Sequence, residues 1–378
     1  MSERQARLAL SLIAEPGDPR LRDLLLQHEP GRIVAAACGD AVALGVPAGW
    51  RERAHDVTSA MESVTARAKA NGLRWLCPGD PGWPSSLSDL DHVEPLHGAT
   101  GAPVGLWIRG SGDLAKLSEQ GVAIVGAREC TTYGAESASD LAADCADAGF
   151  TIISGAAFGV DGCAHRGALV MNKPTVAVLA CGADVDYPVA HSALIAEVAE
   201  AGLVVSEQAP GSRPQKGRFL SRNRIIAALS QGTVVIEAAV RSGSLNTLNW
   251  ADQLGRTTMA LPGPVTSRQS TGTHDAIRAG KAVLVTNGKN VLEELRGLGA
   301  EASGPQAVPL TEFDQLPPAA RKTLDGLDWN RGQTLSEIAS GARLTARDVL
   351  TSLDMLERRG LVGRLGAGWI LARRADVG

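Results

Sequence analysis

Between Gln208 and Ile236 the chain carries five basic residues, Arg213, Lys216, Arg218, Arg222 and Arg224, and no acidic one. Phe219 sits among them in a sequence with only four Phe, and Asn223 separates the last two arginines. Cations that neutralise phosphates, interleaved with a ring that stacks on a base, are the chemistry of single-stranded nucleic acid binding. Two glycine-bearing turns accompany this stretch. GVAIVGAR at 121–128 ends in Gly126 and Arg128, and TIISGAAFGVDG at 151–162 carries Ser154, Gly155 and Gly159. Glycines in such places let backbone N–H groups approach an anion, with a helix N-terminus behind them. SGSLNT at 242–247 adds Ser242, Gly243 and Ser244.

Each residue also has a plainer reading. A glycine alone accounts for a tight turn, Arg128 for a surface ion pair, Ser242 for a helix cap. Arg222 is a candidate anchor for the helix that follows it. Asp161 and His165, four apart at a helix start, fit an acid–base pair or metal ligands. They fit better as a helix-dipole partner and a packed histidine. Glu237 is the best-placed acid for a hydrolase. No GxxxxGKS/T loop and no paired catalytic acids stand near it. No catalytic residue, cofactor or metal site is therefore expected.

The elements that must hold these residues are short apolar runs at 121–126, 151–154, 175–181, 203–206, 233–237, 257–261 and 282–285, alternating with helical patterns. That alternation is the mark of a mostly parallel sheet covered on both faces, an α/β fold of Rossmann type. Ligands on such sheets sit at the carboxyl ends of the strands. Residues 1–72 read as short helices broken by PGDP and EPG. Residues 73–112 read as a Pro- and Gly-rich lead-in whose Trp75, Trp83 and Trp107 pack on the sheet, and the sheet domain runs over 73–296. Residues 297–310 are small and aperiodic, a linker. Residues 311–378 read as three helices and a hairpin, a winged helix-turn-helix, with Thr334 and Thr345 as caps. That tail holds ten basic and nine acidic residues, a weak balance for DNA and a reasonable one for a protein partner.

The whole chain of 378 residues has a formal net charge of −4, so any polyanion must bind a local patch rather than the general surface. Arg4 and Arg7 interrupt the first apolar run, so no signal peptide is expected, and no stretch is long enough to span a membrane. Six cysteines without CxxC spacing fit reduced thiols in a cytoplasm.

At these motifs the chain resembles the DNA-processing protein A family (DprA, also called Smf). The resemblance is carried by VGAR at 125–128, SGxAxGVDxxAHRGAL at 154–169 and TVAVLACGADVDYP at 175–188. FxxRNRIIAxLS at 219–230, SGSLNT at 242–247 and LPGPV at 261–265 complete it. It implies a Rossmann-like domain that binds and protects single-stranded DNA and helps load RecA recombinase in natural transformation, with no enzymatic step. It implies a SAM- or helix-hairpin-helix-like N-terminal domain and a homodimer through the region around GTHDAIRAG at 272–280. A Lys and a Phe three apart serve DNA binding in relatives, and Lys216 and Phe219 match that spacing. The chain departs from the family pattern at Phe158, where many relatives are basic, at Leu220, usually Pro, and at His274, usually Asn. The reading from another class is a Rossmann-like phosphoribohydrolase acting on nucleoside monophosphates. Such enzymes carry PGGxGT followed by acids, whereas this chain has AAVRSGSLNT.

Overall fold

The computed structural model describes residues 1–39, 44–296, 316–328 and 331–372. The chain divides into two compact units, Met1–Ala302 and Ser303–Gly378. The expected linker at 297–310 lies outside the described residues.

The first unit opens with five helices: α1 (Glu3–Ile13), α2 (Pro19–Leu25), α3 (Pro30–Ala37), α4 (Ala48–Ala54) and α5 (Val57–Ala70). Ser2 and Gln5 close a capping box on α1, and Ala6, Ala9, Leu10 and Ile13 turn inward at helical spacing. These helices keep a core of their own around Ile33, Val34 and Trp50, yet share one compact unit with the sheet.

The sheet follows in order: β1 (Arg74–Leu76), β2 (Leu106–Arg109), α6 (Leu114–Glu119), β3 (Gly121–Val125), α7 (Thr132–Asp147), β4 (Thr151–Ser154), α8 (Val160–Val170), β5 (Thr175–Leu179), α9 (Ser192–Ala201) and β6 (Leu203–Ser206). Then come α10 (Lys216–Ala228), β7 (Gly232–Val235), α11 (Gly243–Gln253), β8 (Thr257–Ala260), α12 (Thr271–Arg278), β9 (Val283–Leu284) and α13 (Gly288–Arg296). Among the described residues the nine strands lie in the order β1-β2-β6-β5-β4-β3-β7-β8-β9. Strands β6 to β9 run parallel, while β1 and β2 add antiparallel at one edge. The central strands are buried on both faces, which is why they read as unbroken apolar runs. In β3, Ala123 and Val125 face the core formed with α10 and α11, and Val122 and Ile124 face that formed with α7 and α8.

Sequence periodicity misses α4, β1 and β2. The two strands are three and four residues long, and their Trp75 and Trp107 pack at 4.9 Å between ring centroids in the core. The order in which strands are added reverses at β3: β4, β5 and β6 are laid to one side, then α10 crosses to β7 on the other. The carboxyl ends of β3 and β7 thus form a topological switch point, where such sheets bind ligands.

The second unit holds α14 (Pro318–Asp325), α15 (Leu335–Ala342), α16 (Ala346–Arg358) and the antiparallel pair β10 (Val362–Leu365) and β11 (Gly368–Leu371). Thr334 caps α15 in a box with Glu337, and Thr345 caps α16. Val349, Leu353 and Leu356 are fully buried along one face of α16.

One buried ion pair fastens the crossover. Arg224 of α10 is fully buried and donates to both carboxylate oxygens of Glu207 at 2.7 and 2.6 Å, and to the Gly101 carbonyl at 3.0 Å. Glu207→Ala leaves a buried guanidinium uncompensated and should cost about 3–5 kcal/mol in urea unfolding. Replacing both partners, Glu207→Leu with Arg224→Met, should cost clearly less than either single change.

Candidate nucleic-acid interface

An open cleft of about 1240 Å³ lies along the carboxyl ends of the strands. The β3 end contributes Gly126 and Arg128, the start of α10 contributes Lys216 and Phe219, and the start of α11 contributes Ser242 and Gly243. The sequence-predicted residues therefore gather at one edge, but they divide into an exposed lip and a buried frame.

The frame is built around a carboxylate. Asp161, in the first turn of α8, is buried, and its Oδ2 accepts the Gly155 N–H at 3.2 Å. N–H groups of Gly126 and Ala157 also stabilise its charge, as does Arg222. Burial nonetheless pushes the carboxyl up from its ordinary value. The N–H groups expected to cradle a phosphate are thus turned onto a carboxylate of the chain itself. In this structure the Gly126 and Gly155 N–H groups are engaged by Asp161. Gly159 has its own steric reason: at φ +75° an added Cβ would meet the Ala127 and Arg128 carbonyl oxygens at 2.3 and 2.5 Å. It lets the start of α8 lie against the β3 turn.

Arg222 completes the frame. Its Nη1 donates to the Gly155 carbonyl at 2.9 Å and to that of Val178, joining α10 to β4 and β5. Burial pushes the guanidinium down to about 10, opposed by Asp161, so it stays charged at neutral pH. Arg222 and Arg224 are thus both buried and bonded to groups inside the protein. The two side chains are two residues apart on α10 and leave it in different directions, Arg222 to the Gly155 and Val178 carbonyls and Arg224 to Glu207 and Gly101. Ser154 is likewise buried, its Oγ donating to the Ile124 carbonyl at 2.6 Å. Asn223 ties α10 to α11 through the Gly243 carbonyl at 3.1 Å and Asn246 at 3.2 Å. His165 is buried, its Nδ1 2.8 Å from Thr175 Oγ1, and burial pushes it down to about 3, so it is a neutral packing group.

The lip consists of what remains in solvent. Arg128 and Lys216 are exposed and Phe219 is half-buried. The Arg128 guanidinium lies 4.7 Å over the Phe219 ring, and Tyr187 packs on the same ring at 5.7 Å. Arg241 and Lys281 also line the cleft. Ser242 accepts the Ser244 N–H at 3.3 Å and caps α11, leaving exposed Gly243 beside it. Arg218 is turned away, paired with Glu15 at 3.3 Å. Tyr187, Arg241 and Lys281 escape the sequence reading. Tyr187 carried the same signal as Phe219, for the chain has only two Tyr.

Glu237 is buried and accepts from the Thr131 N–H at 2.9 Å and from Thr131 Oγ1 at 2.7 Å, so both its oxygens hold the start of α7. Among the described residues no group of three or more His, Cys, Asp or Glu could hold a metal ion, and no helix is long and apolar enough to cross a membrane.

The profile of the DNA recombination-mediator protein A family matches residues 74–296, the whole sheet from β1 to α13. The chain belongs to that family. It is 40% identical over 311 residues to a putative DNA processing protein DprA of Mycobacterium tuberculosis, covering 80% of this chain and 78% of that one. It is 42% identical over 211 residues to DprA of Streptococcus pneumoniae, covering 55% and 73%. The crystal structure of the pneumococcal protein superposes with a TM-score of 0.63 at 31% identity, over 77% of this chain and 97% of that one. DNA processing protein A of Helicobacter pylori, whose structure is described for its single-stranded DNA binding mode, superposes with a TM-score of 0.50 at 29% identity, over 59% and 95%.

Arg128 and Phe219 touch in the free protein, so their contributions are coupled. A double-mutant cycle on unfolding free energy with Arg128→Ala and Phe219→Ala should return about 0.5–1 kcal/mol of interaction, the usual worth of an exposed cation–π pair. Strict additivity would mean that the guanidinium does not rest on the ring in solution.

Proposed function

We propose that the lip binds single-stranded DNA, with Arg128 and Lys216 on phosphates and Phe219 stacked against a base. The observation that carries this reading is the contact of an exposed arginine with an aromatic ring at the mouth of a cleft whose glycine turns already hold an internal carboxylate. A free nucleotide gains little from turns so occupied. A strand with unpaired bases can use cations and ring faces together. The Helicobacter relative described for single-stranded DNA binding supports the same ligand. In this reading the protein works in the cytoplasm without catalysis, protecting incoming DNA in natural transformation. The family's description as a recombination mediator supports a hand-over of the strand to RecA recombinase. The phosphoribohydrolase alternative loses its acid, since Glu237 is fully engaged with Thr131.

The second unit contributes little to DNA affinity in this proposal. The exposed face of α16 mixes Arg347, Asp348, Asp354, Glu357 and Arg358, with Arg358 and Asp354 paired at 2.9 Å. Such a face suits a protein partner of a winged helix better than a phosphate backbone.

The roles on the lip make separable demands. Lys216→Ala should flatten the dependence of log K on log salt by about 0.7 on single strands. Phe219→Ala should cost roughly 1–3 kcal/mol and leave that slope almost unchanged. Anisotropy titrations with single-stranded and duplex oligonucleotides, with and without residues 311–378, supply the measurement. Binding by both folded variants equal to that of the parent would remove this edge as the DNA site.

The homodimer is proposed at α12 and β9. Within GTHDAIRAG, Ala276 is buried and Ile277 packs on the core, so neither offers a free apolar contact. His274 Nε2 lies 3.0 Å from the Gly263 carbonyl and 3.2 Å from its N–H, tying α12 to the LPGPV turn. Val283 and Leu284 on the edge strand are the exposed apolar pair, at 44% and 48%. Leu284→Glu should yield monomers in sedimentation equilibrium, and an unchanged dimer would move the interface elsewhere.

A further inference from the structure

Two large aromatic side chains besides Phe219 remain in solvent at the cleft. Phe158 is 48% exposed and Tyr187 38%. Both stand at carboxyl ends of strands, Phe158 in the turn between β4 and α8 and Tyr187 after β5. They line one shallow notch together with Phe219 and Arg128. Arg128, Tyr187 and Phe219 also line the main cleft, so the notch continues it without a break. Phe158 is seated: its ring packs edge-on to His191 at 4.9 Å, and the buried His191 is held by the Ala156 carbonyl at 3.0 Å. An exposed ring fixed in place on a surface that elsewhere carries cations costs hydration and gives nothing to the core.

We propose that Phe158 and Tyr187 form a second stacking platform, which takes the unpaired base next to the one on Phe219. The inference rests on the single-strand reading of the lip. Arg128 stands between cleft and notch, so a phosphate held there delivers its neighbouring base over the two rings. The notch is shallow, and the base lies across it with one face open. Recognition is by π-face, so every base is accepted and the gain is independent of salt.

The test uses the full chain and single-stranded oligonucleotides carrying one 2-aminopurine at successive positions. In the parent, two adjacent positions should be quenched on binding. Phe158→Ala and Tyr187→Ala should each restore the emission at one of them, weaken binding by roughly 5- to 100-fold and leave the salt slope unchanged. Phe158→Leu, which keeps an apolar side chain, should behave as Phe158→Ala does. Thermal melting that matches the parent establishes that the variants are folded. The platform is overturned if these variants bind and quench as the parent does while Lys216→Ala and Phe219→Ala lose affinity. It is equally overturned if they change only self-association in sedimentation. Parent-like binding by all of the variants, Lys216→Ala and Phe219→Ala included, would instead sink the underlying DNA reading.

Discussion

The edge depends on one buried pair of opposite charges. Asp161 gathers N–H groups from the ends of β3 and β4, and Arg222 gathers carbonyl groups from β4 and β5. Together they hold three strand ends and α10 in a fixed relation. Burial disfavours the charged form of each, and Arg222 and the backbone N–H groups offset part of that penalty on Asp161. Rigid strand ends let the exposed side chains above them keep their spacing.

The same pair explains how a dinucleotide-type fold is turned to another purpose. In a nucleotide-binding sheet the glycine turns and the helix N-terminus behind them receive phosphate. Here the chain turns its own Asp161 carboxyl onto the Gly155 N–H, so that donor is already engaged. The cations and rings that face solvent stand on the rim instead.

Much of this was legible in the sequence. The central strands, the caps at Thr334 and Thr345 and the buried face of α16 follow from apolar periodicity and from Ser and Thr placed before helices. The gathering of VGAR, SGxA, RNR and SGSLNT at one edge follows from parallel topology. What was not legible is which members of a motif face outward. Arg222 and Arg224 look like ligand groups because charge is usually exposed, and their partners, the Gly155 and Val178 carbonyls, Glu207 and Gly101, come from remote parts of the chain. Periodicity also missed β1 and β2, too short to carry a pattern.

The N-terminal helices touch this edge through ion pairs. Arg67 of α5 meets Asp184, three residues before Tyr187, at 2.5 Å, and Glu15 meets Arg218, next to Phe219. In each pair one side chain is largely buried and the other reaches solvent, that of Asp184 being fully buried and also accepting the Gly211 N–H at 2.8 Å. The helical domain is thus fastened to the two segments that carry the rings, one pair beside each.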